Sequence, residues 1–209
     1  MCSGILVVYT LRVNMSVAVE KISDDIGWSD SEKGLALSSF YWGYALGQIP
    51  GGRLANRHGA KKIFGLSILV PSILTLFVPI ACRTHFALVL LLRALIGLTE
   101  AASFPCLYHF FSKWVAPKEK TLMVSSTVSG MYMGEIVGFS LSGILCESSI
   151  FIAGVSVGGW PSVFYLFGLL GIFWYPFWIY SAYDSPADHP TITQEELNLI
   201  NSGSKIKLI

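Results

Sequence analysis

Arg93 and Glu100 carry opposite charges inside a run that is otherwise hydrophobic, FALVLLLRALIGLTEAASFP at 86–105. A charge in hydrocarbon costs about 3 kcal/mol or more, so such residues face a bundle interior or a water-filled cavity. Seven residues make about two helical turns, which puts both side chains on one face, roughly 10 Å apart along the axis. Two more charges stand in similar surroundings: Arg12 close to the start of the chain, and Glu135 within GEIVG at 134–138. Charges of both signs on the inner faces of spanning helices mark a polar path through a membrane.

The composition agrees with a membrane setting. Of 209 residues, 53% are hydrophobic and only 13% charged, where a soluble domain carries about a quarter charged; the mean hydropathy is +0.61. The net charge of +1 offers no basic footprint for nucleic acid. Cysteines at 2, 82, 106 and 146 follow no C-x-x-C spacing, which argues against a zinc or redox site. The sequence has no nucleophile elbow, phosphate loop or metal-ligand spacing, so neither an enzyme nor a cofactor is expected.

Spanning requires roughly 20 mostly apolar residues. Six segments qualify, at about 1–19, 35–51, 63–81, 86–111, 122–146 and 161–183. The first lacks the basic start and small-residue cleavage site of a signal peptide and reads as a helix whose N-terminus is cut close. Lysine and arginine cluster after the second span (Arg53, Arg57, Lys61, Lys62) and the fourth (Lys113, Lys118, Lys120). The loops after the odd-numbered spans are poor in them, and the first of these is acidic. The positive-inside rule therefore puts the even-numbered loops and both termini in the cytosol. The tail is mixed, with Asp184, Asp188, Glu195 and Glu196 ahead of Lys205 and Lys207. The third and sixth spans carry no charge and read as lipid-facing. Arginine recurs in spans one and four, the pattern of a three-plus-three inverted repeat whose first helices line a cavity.

The stretch 51–62, GGRLANRHGAKK, resembles the signature cytosolic loop of the major facilitator superfamily, G-x-x-x-D-R-x-G-x-K-K. Asn56 stands where an Asp is usual. The resemblance implies a conformational latch built on Gly52, Asn56, Arg57, Gly59, Lys61 and Lys62, with Gly59 permitting a sharp turn; with Asn56 the latch would rest on hydrogen bonds. The other reading is a basic loop that only sets topology.

A narrower resemblance runs over nearly the whole chain. It is carried by RVNMSVA (12–18), SFYWGYALGQIPGG (39–52), RALIGLTEAASFP (93–105), SKWVAPKE (112–119), GWPSVFY (159–165) and SPADHPTIT (185–193). These resemble the organic anion transporter branch of the superfamily, which includes vesicular glutamate transporters, sialin, type I sodium–phosphate transporters and plant plastid phosphate carriers. The implied fold is an all-α membrane protein in which six transmembrane helices form the N-terminal half of a twelve-helix structure. Residues 1–183 would be the bundle and 184–209 the start of a central cytosolic linker, with 148–158 a small insertion.

The resemblance also implies roles. Arg12 and Arg93 match the branch's two cavity arginines and would hold a small anionic substrate through bidentate contacts. Asn14 and Tyr44 would be neutral hydrogen-bonding neighbours, and Glu100 the proton-sensitive acid. The opposing reading makes Arg93 and Glu100 a buried pair that only fixes packing. Glu135 is not expected from the branch; it is either a second proton site or a packing charge paired to Arg12 or Arg93. Leu37 stands where glutamate-carrying members have a histidine, and Tyr108 where several members of the branch have one; both departures weaken a resemblance to the glutamate carriers. Two functions follow as expectations: the N-terminal half of an alternating-access transporter of small anions, driven by an H+ or Na+ gradient or by the membrane potential and working with a second six-helix half, or a truncated, non-transporting half or pairing subunit.

Overall fold

The computed structural model describes residues 1–115, 119–148, 151–152, 155–156 and 158–194. Seven α-helices are seen among them: α1 (Cys2–Ile26), α2 (Asp30–His58), α3 (Ala60–Thr84), α4 (Phe86–Glu100), α5 (Ser103–Trp114), α6 (Lys120–Glu147) and α7 (Trp160–Ser181). Five stretches are long and apolar enough to cross a membrane, with α4 and α5 counted as one. The sixth span is α2, whose 29 residues give it the length; its charged ends and its glycine and serine residues dilute its apolarity.

The helix ends follow local chemistry. α1 stops at Gly27, which is left-handed (φ 85°) and returns its N–H to the Ser23 carbonyl. α2 opens with a capping box in which Ser29 and Glu32 satisfy each other's backbone N–H groups. The fourth span was expected to be continuous over 86–111; instead it breaks at Ala101–Ala102. Pro105 supplies the reason, since it has no N–H to give the Ala101 carbonyl and its ring crowds that same carbonyl.

Each helix packs most extensively on one partner: α1 on α6, α2 on α4, and α3 on α7. Two of these pairs are built on glycines four residues apart. On α2, Gly43, Gly47 and Gly51 lie against Ala94, Leu98, Ala101 and Ala102, while Gly97 on the facing helix meets the Phe40 carbonyl. On α6, Gly130, Gly134 and Gly138 lie against Cys2, Leu6, Tyr9, Thr10 and Val13 of α1. Small residues at this spacing let helix backbones touch, which in a membrane is what association runs on. Span two packs on span four as span five packs on span one, so the inverted repeat suggested by the two arginines is visible in the packing.

A side chain at Gly43 would run into the Ala94 carbonyl, and backbone cannot swing aside. Overpacking costs about 1–3 kcal/mol where side chains can yield, and more where they cannot. We therefore expect Gly43→Val to lower the thermal unfolding midpoint in detergent by many degrees, whereas Gly34→Ala, at a site with open space around it, leaves it nearly unchanged.

α1 is the most buried helix and α6 the least. α3, charged only at its ends, and the uncharged α7 sit behind α1, packed on each other, and turn Leu66, Ile73, Phe77, Leu169, Phe173 and Phe177 outward. α2 and α6 expose large apolar side chains as well, including Leu46, Ile49, Tyr132 and Ile136, so outward-facing surface is not confined to the uncharged spans. The four cysteines are free. Within 148–158, Phe151–Ile152 and Val155–Ser156 pair as a two-residue antiparallel hairpin; residues 149–150, 153–154 and 157 of that stretch lie outside the described residues. So do Lys118 and the 195–209 part of the expected linker, with Glu195, Glu196, Lys205 and Lys207.

Candidate functional site

Two helices bring three of the four intramembrane charges together, and α2 walls them in with aromatic rings. Arg12 on α1 donates from Nε (2.9 Å) and Nη2 (2.5 Å) to Oε1 of Glu100, the last residue of α4. The guanidinium lies over three rings at once, 4.8 Å from the centroid of Tyr9, 4.9 Å from Tyr44 and 5.2 Å from Phe40. Arg93, two turns before Glu100, approaches the same Phe40 ring at 5.3 Å. Phe40 is thus shared by both guanidinium groups, each within the range where a ring face attracts a cation. Tyr44 stacks on Phe40 at 5.7 Å and completes the aromatic wall.

The charge balance is uneven. Glu100 is 1% exposed and spends one oxygen on Arg12, leaving Oε2 buried without a partner. Arg93 is 4% exposed, its Nε is also buried without a partner, and it makes no ion pair among the described residues. The buried pair considered from the sequence, Arg93 with Glu100, is therefore replaced by Arg12 with Glu100. The two-turn rise along α4 holds Arg93 and Glu100 apart, while α1 brings Arg12 alongside the carboxylate.

Three expectations need correction. Asn14 does not neighbour the arginines: at 100° per residue it sits about 200° around α1 from Arg12, on the far face, and is 1% exposed. Tyr44 is beside Arg12, but it offers its ring face. Glu135 is half-buried beside Gly134 and pairs with neither Arg12 nor Arg93 among the described residues. Tyr9 and Phe40 were missed. Tyr9 lies three residues before Arg12, and Phe40 four before Tyr44, spacings that share a helix face, so the signal was present.

The signature loop proves to be hardly a loop. Gly52, Asn56 and Arg57 belong to α2, Gly59 alone makes the turn at φ 89°, and Lys61 and Lys62 already belong to α3. Asn56 and Arg57 are exposed. The contact that ties this corner down comes from after the last span. Asp184 Oδ1 accepts the Lys61 N–H at 2.8 Å, Trp178 Nε1 donates to the Lys61 carbonyl at 2.9 Å, and Lys61 Nζ lies 5.3 Å from the Tyr183 ring. α3 has no side-chain cap of its own, so Asp184 acts as its N-cap from a distant part of the chain, where a carboxylate also meets the positive end of the helix dipole. Replacing an N-cap acceptor costs about 1 kcal/mol. Asp184→Ala should accordingly speed hydrogen exchange of the Lys61 amide several-fold and leave the amides of mid-α3 unchanged.

The result is a six-span helical bundle with Arg12, Arg93 and Glu100 gathered inside it. The chain belongs to the major facilitator superfamily, whose sequence profile matches residues 1–207. It is 37% identical over 215 residues to vesicular glutamate transporter 3 of Danio rerio, covering 96% of this chain and 35% of that protein. It is 39% identical over 194 residues to the chloroplastic ascorbate transporter of Arabidopsis thaliana, covering 93% and 34%, and 35% identical to human vesicular glutamate transporter 2, covering 96% and 35%. The chain spans about a third of the length of these relatives. Its fold matches that of a bacterial homolog of the human lysosomal transporter Spinster, in an inward-facing and occupied conformation, with a TM-score of 0.78 at 23% identity over 93% of this chain and 46% of that one. The protein is an integral, multi-pass membrane protein of a transporter family, not an enzyme.

Proposed function

We propose that this chain forms the N-terminal half of a secondary transporter that moves small organic or inorganic anions by alternating access, driven by a proton or sodium gradient or by the membrane potential. The observation that carries the reading is Arg93, a guanidinium almost wholly buried and without a counter-ion among the described residues. A buried cation without a partner is strongly disfavoured, and an entering carboxylate or phosphate relieves that cost through the fork geometry that arginine offers. All three curated relatives are named for a solute that is anionic at neutral pH, glutamate or ascorbate.

In this reading Arg93 is the primary anion ligand, with Arg12 and Tyr44 on the same wall. Glu100 is the proton-coupling group, because protonation releases Arg12 from it. Glu135 is a second acid within the bundle. The Gly52–Lys62 corner, held by Asp184, is the latch that changes when the second six-helix half rocks. Phosphate, glutamate, ascorbate and other labelled anions should be offered to proteoliposomes holding the intact protein that carries this chain. Saturable uptake of at least one anion is expected; no uptake of any anion, under either a pH gradient or a potential, would refute the reading.

Orientation follows from the basic corner. A cysteine placed at exposed Arg57 should react with an impermeant maleimide only from the cytosolic side, and labelling from the opposite side would reverse the topology.

A further inference from the structure

Asn14 and Ser142 are buried polar side chains that the anion site does not use. Asn14 is 1% exposed and Ser142 fully buried, and among the described residues neither the Asn14 Oδ1 and Nδ2 nor the Ser142 Oγ has a hydrogen-bonding partner. Three orphaned polar atoms in an apolar interior are costly, at about 1–3 kcal/mol for each unsatisfied group.

The packing register brings them together. α1 and α6 run in parallel, and their contact advances by one turn of each helix at a time. Gly130 meets Cys2; Gly134 meets Leu6 and Tyr9; Gly138 meets Thr10 and Val13. Extended by one further turn, the same register sets Ser142 level with Asn14. Ser142 closes the stripe begun by the glycines and is its only polar member. A stripe of glycines presents a smooth trough, with no side chains to stop one helix from sliding or turning in the other. A polar pair at its end supplies such a stop, because it is satisfied in one register only, the role a single buried Asn plays in specifying coiled-coil pairing.

We propose that Asn14 and Ser142 form a hydrogen-bonded clasp through one buried water that fixes the rotation and height of α1 on α6. A water is a suitable bridge because buried waters characteristically make about three hydrogen bonds to polar groups that are otherwise unsatisfied. The consequence reaches the opposite face of the helix. Arg12 lies about 200° around α1 from Asn14, so the clasp that holds one face aims the other at Glu100. Asn14 and Ser142 are positioning residues acting through Arg12. The consequence for transport rests on the anion reading above; the clasp itself does not.

Two experiments on the intact protein test it without requiring transport. In a background with the four native cysteines replaced by alanine, Asn14→Cys with Ser142→Cys should be joined by a short bifunctional thiosulfonate. The control pair, Asn14→Cys with Ile136→Cys on the outward face of α6, should not be joined. Failure to join 14 to 142 overturns the register. In the second experiment a membrane-permeant carbodiimide reports on Glu100, which the Arg12 pair shields. Asn14→Leu and Ser142→Ala should each raise labelling of Glu100 several-fold, the double variant should be no worse than either single one, and Ser142→Thr, which keeps the hydroxyl, should label like wild type. Ser142→Ala is the gentler change and guards against misfolding of Asn14→Leu. Unchanged labelling in both single variants, or additive increases in the double one, would show that the pair does not position Arg12. If the cross-link and the labelling behave as expected and no anion is transported, the clasp stands and the anion reading falls.

Discussion

Arg93→Ala should abolish anion uptake, by at least about 100-fold, while leaving the thermal unfolding midpoint unchanged or raised. The two halves of this expectation have one cause. Arg93 is buried with no ion partner among the described residues, so the fold bears the desolvation cost of its charge, and truncation relieves it. The same truncation removes the group that would compensate an incoming anion, and a charged solute left without a partner inside a membrane bundle is excluded. Arg93→Lys should fail nearly as completely, because a point charge does not reproduce the planar fork. Arg12→Ala behaves in the opposite way for stability: it strands Glu100 as a buried, uncompensated carboxylate, a loss of about 3–5 kcal/mol when one partner of a buried pair is removed. Thermal shift measured alongside uptake separates the two arginines. If Arg93→Ala unfolds the protein as Arg12→Ala does, Arg93 is structural.

Glu100→Gln should separate coupling from movement. The amide keeps the shape of the side chain and one acceptor for Arg12, but it exchanges no proton, and it leaves Arg12 without a counter-charge. Uptake driven by membrane potential is expected to survive, and accumulation driven by a pH gradient to fall by about 10-fold or more. Proteoliposomes in which the two gradients are imposed separately make the measurement. A full pH-gradient response in Glu100→Gln would move the proton site elsewhere, with Glu135 the next acid to test.

Much of this was legible before any coordinates, and the reason is physical. Arg12, Arg93 and Glu100 stand out because charge in hydrocarbon is expensive, and the spacing of Arg93 and Glu100 already implied that α4 keeps them apart. The partner of Glu100 was not legible, since Arg12 is 88 residues away and only the packing of α1 brings it there. The placement of Asn14 needed nothing more than helical geometry, because two residues along a helix turn a side chain to the far face. The motif sets Asn14 beside Arg12 in sequence, but that nearness is not nearness in space. The break in span four was equally readable from Pro105. Asp184 was not, because its acceptor role depends on where the segment after α7 returns relative to Gly59, which no local pattern encodes. The glycine stripes on α2 and α6 lie in plain view at four-residue spacing; what they bind became apparent only when the helices were placed.

Direct binding of a labelled anion to the purified intact protein bears most closely on the claim that Arg93 is an anion site. Glutamate, ascorbate and inorganic phosphate should be measured by scintillation proximity against wild type, Arg93→Ala and Asp184→Ala. The account predicts saturable binding of at least one anion to wild type and to Asp184→Ala, and its loss in folded Arg93→Ala. Equal affinity in wild type and Arg93→Ala would contradict it.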